Sequence, residues 1–111
     1  MKANYKIRNI LGESSVRNKL KSDLAEIDAL TPISQANVEL ERRLNGKPAY
    51  VASVLLAIPG PDLRATACDH TWAAAWMKVQ LQLREQLLKR KTAQARRLKY
   101  RLSSPVKMNH G

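Results

Sequence analysis

The sequence predicts a small α+β domain in the order β-α-β-β-β-α, with a four-stranded sheet and two helices packed on one face of it. Three observations carry that prediction. The spacing of apolar residues switches along the chain between a strand period and a helix period. Two turn signals, Asn45-Gly46 and Pro59-Gly60-Pro61-Asp62, bracket an aliphatic stretch. The segment from Trp72 to Leu102 contains neither Gly nor Pro.

Taken in order, residues 2–10 alternate. Ala3, Tyr5 and Ile7 fall on one side and Lys2, Lys6 and Arg8 on the other, as in a half-buried strand. Gly12 and Glu13 end it, and Ser14 is the expected N-cap of the first helix. Val16, Leu20, Leu24, Ile27 and Leu30 give that helix one apolar stripe over about four turns. Thr31-Pro32 closes it, because a residue before proline avoids helical angles. Gln35 to Leu44 reads as a strand with Val38 and Leu40 inward and Glu39 and Glu41 outward. Asn45-Gly46 then predicts a tight type I′ hairpin, since both residues tolerate positive φ. The return strand, Ala49 to Ile58, is β-branched and aliphatic, as a central strand requires. A third strand, Leu63 to Cys68, sets Leu63, Ala65 and Ala67 against Arg64, Thr66 and Cys68. Asp69 is the expected N-cap of the last helix. Trp72, Trp76, Val79, Leu83 and Leu87 form its apolar face, which thins after Leu88. Beyond that point the helix is expected to leave the body and run to about Leu102. Residues 1–102 are read as a single domain and residues 103–111 as a flexible basic tail.

At 111 residues, 44% of them hydrophobic, the chain can bury one modest core but not two. No apolar run approaches the ~20 residues that span a bilayer. The first residues carry no apolar block of the signal-peptide kind. The single cysteine, Cys68, excludes an internal disulfide framework and suits a reducing compartment, so a cytoplasmic location is expected.

Charge is the most informative global property. Lys and Arg number 20 against nine acids, a net +11. Such an excess repels itself and is commonly kept to attract a polyanion. After Gln86 there are eight basic residues (Lys89, Arg90, Lys91, Arg96, Arg97, Lys99, Arg101 and Lys107) and no acid. The other 12 cations share residues 1–85 with all nine acids, leaving only +3 there. A merely soluble helix face usually mixes signs. Lys89, Arg90, Lys91, Arg96, Arg97 and Lys99 are therefore the principal RNA-binding candidates, set to meet phosphate oxygens. A second candidate set joins Lys2, Lys6 and Arg8 of the first strand to Arg17 and Lys21 of the first helix. Arg42, Arg43 and Lys47 flank the hairpin, where solubility explains them equally well.

Core packing is the simpler reading of Trp72 and Trp76, and strand packing of Tyr5 and Tyr50. Tyr100, among cations, is the better candidate for stacking on a base. The inventory for catalysis is poor. Cys68, Asp69 and His70 are neighbours, but alternation at a strand end sends their side chains apart, and Asp69 has a simpler use as a cap. No His/Cys spacing fits zinc and no phosphate-binding Gly loop occurs. No enzyme activity, metal, cofactor or small-molecule substrate is expected.

Several strings, in order and on matching elements, resemble the ribosome hibernation factors, also known as ribosome-associated inhibitors or sigma-54 modulation proteins. Arg8-Asn9-Ile10 is similar to the family's end of the first strand, and Arg17 stands at the spacing of its later arginine. Leu63-Arg64-Ala65-Thr66-Ala67 is close to the family's Leu-His-Ala-Thr-Ala strand. Trp72-Ala73-Ala74 stands where the family has an aromatic before two alanines, and Gln86-Leu87-Leu88-Lys89-Arg90-Lys91 resembles its Gln-Val-Ile-Lys-His-Lys segment. The similarity runs over about residues 2–99. Departures are the missing Thr-Pro after the first strand and the lack of the usual acids early in the last helix, where Trp76, Lys78 and Gln80 stand. The long forms' second, dimerising domain is not expected here, since the resemblance is to the first domain alone.

The resemblance implies the short form of such a factor, with the fold of a duplex-RNA-binding domain. It implies a protein seated in the mRNA and tRNA channel of the small ribosomal subunit, touching rRNA and ribosomal proteins and blocking translation under stress. Short members accompany dimerised ribosomes, and a tailed relative keeps single ribosomes idle. Two rival expectations remain open: a module that grips an acidic protein, and a general binder of duplex RNA.

Overall fold

The structure, a computed structural model, describes residues 1–45 and 49–109, with side-chain surroundings as far as Thr92. The predicted order holds: β1 (Lys2–Arg8), α1 (Glu13–Leu30), β2 (Gln35–Arg42), β3 (Tyr50–Ala57), β4 (Leu63–Asp69) and α2 (Trp72–Asn109). The sheet runs β1-β2-β3-β4. β1 lies parallel to β2, while β2, β3 and β4 form an antiparallel meander. A parallel pair cannot be closed by a tight turn, and α1 supplies the crossover.

Alternation puts Ala36, Val38, Leu40, Ala52, Val54, Leu56, Leu63, Ala65 and Ala67 on one sheet face, all buried. The helices cover that face with Val16, Leu20, Leu24 and Ile27 of α1 and Ala75, Trp76, Val79, Leu83 and Leu87 of α2. Each large side chain removed from water there contributes about 1.5–3 kcal/mol before entropy is set against it. The opposite sheet face carries Lys6, Arg8, Glu39, Glu41, Arg64 and Thr66 and is uncovered. α2 lies mainly over β4 and β3.

The boundaries differ from expectation in ways that have local causes. α1 begins at Glu13, capped by Gly12 in the left-handed region (φ 73°), so Ser14 lies inside the helix and is not its cap. The helix has 18 residues, about five turns, and Val16 donates its N–H to the Gly12 carbonyl at 3.0 Å. Leu30 ends half exposed as the last residue of α1, where the Thr31 N–H closes the final turn on the Ile27 carbonyl. The strands of the hairpin stop at Arg42 and resume at Tyr50. Arg43 N–H still reaches the Ala49 carbonyl, so Asn45 lies in a longer connection than a two-residue turn. Gly46, and with it the rest of that turn, lies outside the described residues, as does Lys47.

Asp69 does not cap α2. Thr71 does, its hydroxyl accepting from Ala74 N–H at 3.1 Å and its carbonyl from Ala75 N–H at 3.1 Å. Helical backbone continues past Leu102 to Asn109. At 1.5 Å per residue that makes α2 about 57 Å long, and the molecule measures 66 × 29 × 17 Å. Among the described residues, the last buried one on α2 is Leu87.

Candidate nucleic-acid interface

The body and α2 are held together by more than the apolar stripe. Midway along α1 the Asp23 carboxylate, only 6% exposed, accepts Trp76 Nε1–H at 2.8 Å and meets Lys19 Nζ at 3.3 Å. Trp76 is thus a core residue with its one polar atom satisfied, as buried indoles usually are. Trp72 packs half buried against the same core.

Along the outer edge of β4, α2 lays down a row of donors four residues apart. Lys78 Nζ reaches the Cys68 carbonyl at 3.5 Å, and Gln82 Nε2 the Thr66 carbonyl at 3.1 Å. Gln86 Nε2 then donates to the Arg64 carbonyl at 2.8 Å, and the Arg90 guanidinium to those of Pro61 and Asp62. Four helical residues rise about 6.0 Å and two strand residues about 6.7 Å, so an i, i+4 series can follow alternate carbonyls of a neighbouring strand. Edge strands are otherwise open to pairing with other chains. Lys78 also pairs with Asp69 at 2.9 Å. That hydrogen bond, then the one from His70 N–H, holds the Asp69 carboxyl below the usual carboxylate range.

The principal cations lie where α2 leaves this body. Lys89 is 77% exposed and its only described tie is an i, i+4 contact to Glu85 at 3.6 Å. An exposed pair of that kind is worth about 0–1 kcal/mol and yields readily to a phosphate. Lys91 is exposed and, among the described residues, no acid pairs with it. Arg90 differs from both, since its Nη2 is turned back on the Pro61 and Asp62 carbonyls. Arg96, Arg97 and Lys99 follow on α2, and their side chains, like that of Tyr100, lie outside the described residues.

The second candidate set is not brought together. Lys6 and Arg8 stand on the uncovered sheet face, each opposite its partner in β2: Lys6 with Glu39 at 3.7 Å and Arg8 with Glu41 at 3.6 Å. Arg43 joins them around a shallow hollow of about 160 Å³. Arg17 and Lys21 belong to the other side of β1. Arg17 pairs with Glu13 at 3.2 Å and stands 6.0 Å from the centre of the Tyr5 ring. Burial pushes the Tyr5 phenol above its ordinary range, with the Arg17 charge acting the other way. Lys21 is exposed on α1. No local sequence signal could have revealed the parallel register that pairs Lys6 and Arg8 with acids 33 residues away.

Sequence reading also missed a second feature at the root of the basic helix. Leu30, Thr31, Leu87 and Leu88 line an open hollow of about 250 Å³ rimmed by Arg84 and Lys91. Arg84 is tied to Glu26 at 3.2 Å, whereas Leu88 is 65% exposed. Exposure of Leu30, Met77 and Leu81 extends the apolar character of this side.

Among the described residues no three His, Cys, Asp or Glu side chains converge as metal ligands, and no helix is long and apolar enough to cross a membrane. No family model and no curated protein matches the sequence. A solved structure does match: the N-terminal domain of Protein Y from Thermus thermophilus, at 25% identity over 78% of this chain and 94% of that one, with a TM-score of 0.64.

Proposed function

We propose that this protein is a cytoplasmic, non-enzymatic, ribosome-associated translation inhibitor of the hibernation type. In this reading it occupies the mRNA and tRNA channel of the small subunit and binds rRNA through the basic part of α2. The observation that carries it is the acid-free basic half of one long helix, following Leu87, the last residue buried in the body among the described ones. The order and placement of the hibernation-factor strings, and the backbone likeness to the Protein Y domain, point in the same direction. Lys89, Lys91, Arg96, Arg97 and Lys99 would meet phosphates first, with Lys6, Arg8, Arg17 and Lys21 as further contacts on separate faces. Residues 103–111 would act as a basic tail.

The test is co-sedimentation of the purified protein with ribosomes through sucrose gradients at low and moderate salt. The protein should travel with small subunits or whole ribosomes and leave them as salt rises. Remaining at the top of the gradient at every salt concentration would refute the reading. The hollow formed by Leu30, Leu87 and Leu88 between Arg84 and Lys91 favours one rival, a module gripping an acidic and apolar protein segment. That rival predicts partners that survive nuclease treatment of a pull-down, and the ribosomal reading predicts their loss.

A further inference from the structure

Arg90 belongs to the basic end of α2 by sequence and to the body by geometry. It is the last of four donors, Lys78, Gln82, Gln86 and Arg90, that α2 extends to the outward carbonyls of β4 and the turn before it. Every fourth residue of a helix advances by about 400°, so successive members of such a series drift by about 40° around the axis. Over three steps the ends stand about 60° to either side of the midpoint. The short glutamines occupy the middle, and the long Lys78 and Arg90 the ends, where reach is needed. Beyond Arg90 the helix has no further strand to follow, because β4 begins at Leu63.

We propose that Arg90 is a positioning residue: it completes the clamp between α2 and the β4 edge and so fixes the direction in which Lys91, Arg96 and Lys99 are presented, without itself contacting the polyanion. Both hydrogen bonds come from Nη2, and swinging that nitrogen to a phosphate would release the helix where it leaves the body. Gln86, which carries no charge, acts in the same clamp one turn earlier. The clamp stands on its own geometry, and its consequence for binding rests on the ribosomal reading above.

The experiment compares Arg90→Ala, Gln86→Ala and Lys91→Ala in the full chain by two measurements, after circular dichroism has established that each is folded. The first is amide hydrogen exchange along α2. Arg90→Ala and Gln86→Ala should exchange about three- to tenfold faster from residue 88 onward, as loss of one hydrogen bond implies, and Lys91→Ala should not. The second is affinity for purified small subunits across a salt series. Lys91→Ala should lower the slope of log affinity against log salt by about one, the signature of a lost phosphate contact. Arg90→Ala and Gln86→Ala should weaken binding by a similar factor at every salt concentration and leave the slope unchanged. A fall in slope for Arg90→Ala, or unchanged exchange in both clamp variants, would overturn the proposal. If the unaltered protein failed to bind small subunits, the ribosomal reading would fall, while the exchange comparison would still decide whether the clamp exists.

Discussion

Asp23 is the charged side chain among the described residues that folding takes almost out of water, at 6% exposure. Burying a carboxylate is costly unless hydrogen bonds replace its hydration. Here Trp76 Nε1–H and the Lys19 ammonium, at 2.8 and 3.3 Å, do so. The pair also joins α1 to α2 across 53 residues of sequence, so it registers the two helices as well as satisfying each other's polar atoms. Trp76→Phe keeps most of the apolar volume and removes the donor. It should lower stability by about 1–3 kcal/mol, as expected when a buried acceptor loses its partner. Urea denaturation followed by circular dichroism measures this directly. A variant as stable as the parent would mean that water, not the indole, satisfies Asp23. Asp23 falls beside the apolar stripe of α1, where sequence gives no means of telling a buried carboxylate from a solvated one.

At the level of elements, the strands and the two apolar stripes were legible because each obeys a period enforced by burial. The joints between them were less so, because several residues at a joint are chemically eligible for one task. Asp69 and Thr71 are both good N-caps two residues apart, and the sequence favours Asp69. What decides is Lys78, one and a half turns into α2, which claims the Asp69 carboxylate at 2.9 Å and leaves Thr71 as the cap. This joint has a pH signature. The Asp69 carboxyl titrates below its ordinary 3.8, chiefly through the Lys78 hydrogen bond and then that of His70 N–H. A carboxyl depressed in the folded state adds stability above its unfolded pKa and loses it as pH falls through the folded value. The melting temperature should therefore drop more steeply in the parent protein than in Asp69→Asn as pH falls below about 4. The two curves should approach each other at the acid end. Parallel curves throughout that range would show that Lys78 contributes nothing through Asp69. The donor series along β4 was likewise visible only as an i, i+4 spacing of Lys78, Gln82, Gln86 and Arg90. On an amphipathic helix such a row reads as a solvated flank until a strand edge is placed beside it.

On the scale of the whole molecule, the proposed interface is a matter of where charge sits more than of how much there is. A net +11 spread evenly would bind any polyanion weakly through every face. In this fold the mixed-sign residues 1–85 make the body, with Lys6 and Arg8 already answered by Glu39 and Glu41 in the sheet. The acid-free segment lies at one end of a molecule 66 Å long, and past Lys89, which Glu85 meets at 3.6 Å, α2 carries it away from the acids of the body, whose influence falls off over about 10 Å at 0.1 M salt. Position can be separated from amount with two variants of equal charge. In one, Lys89, Lys91, Arg96 and Lys99 become Gln; in the other, Lys2, Arg42, Arg43 and Arg64, which are exposed and lie off α2, do so. Each change lowers the net charge from +11 by four. If binding follows placement, the first variant should lose about three to three and a half units of the log-affinity against log-salt slope on small subunits, since each phosphate contact carries about 0.7–0.9 of a unit. The second should keep nearly all of it. Equal losses in the two would mean that the polyanion senses the bulk charge of the protein, and that the projecting end of α2 has no privileged part in recognition.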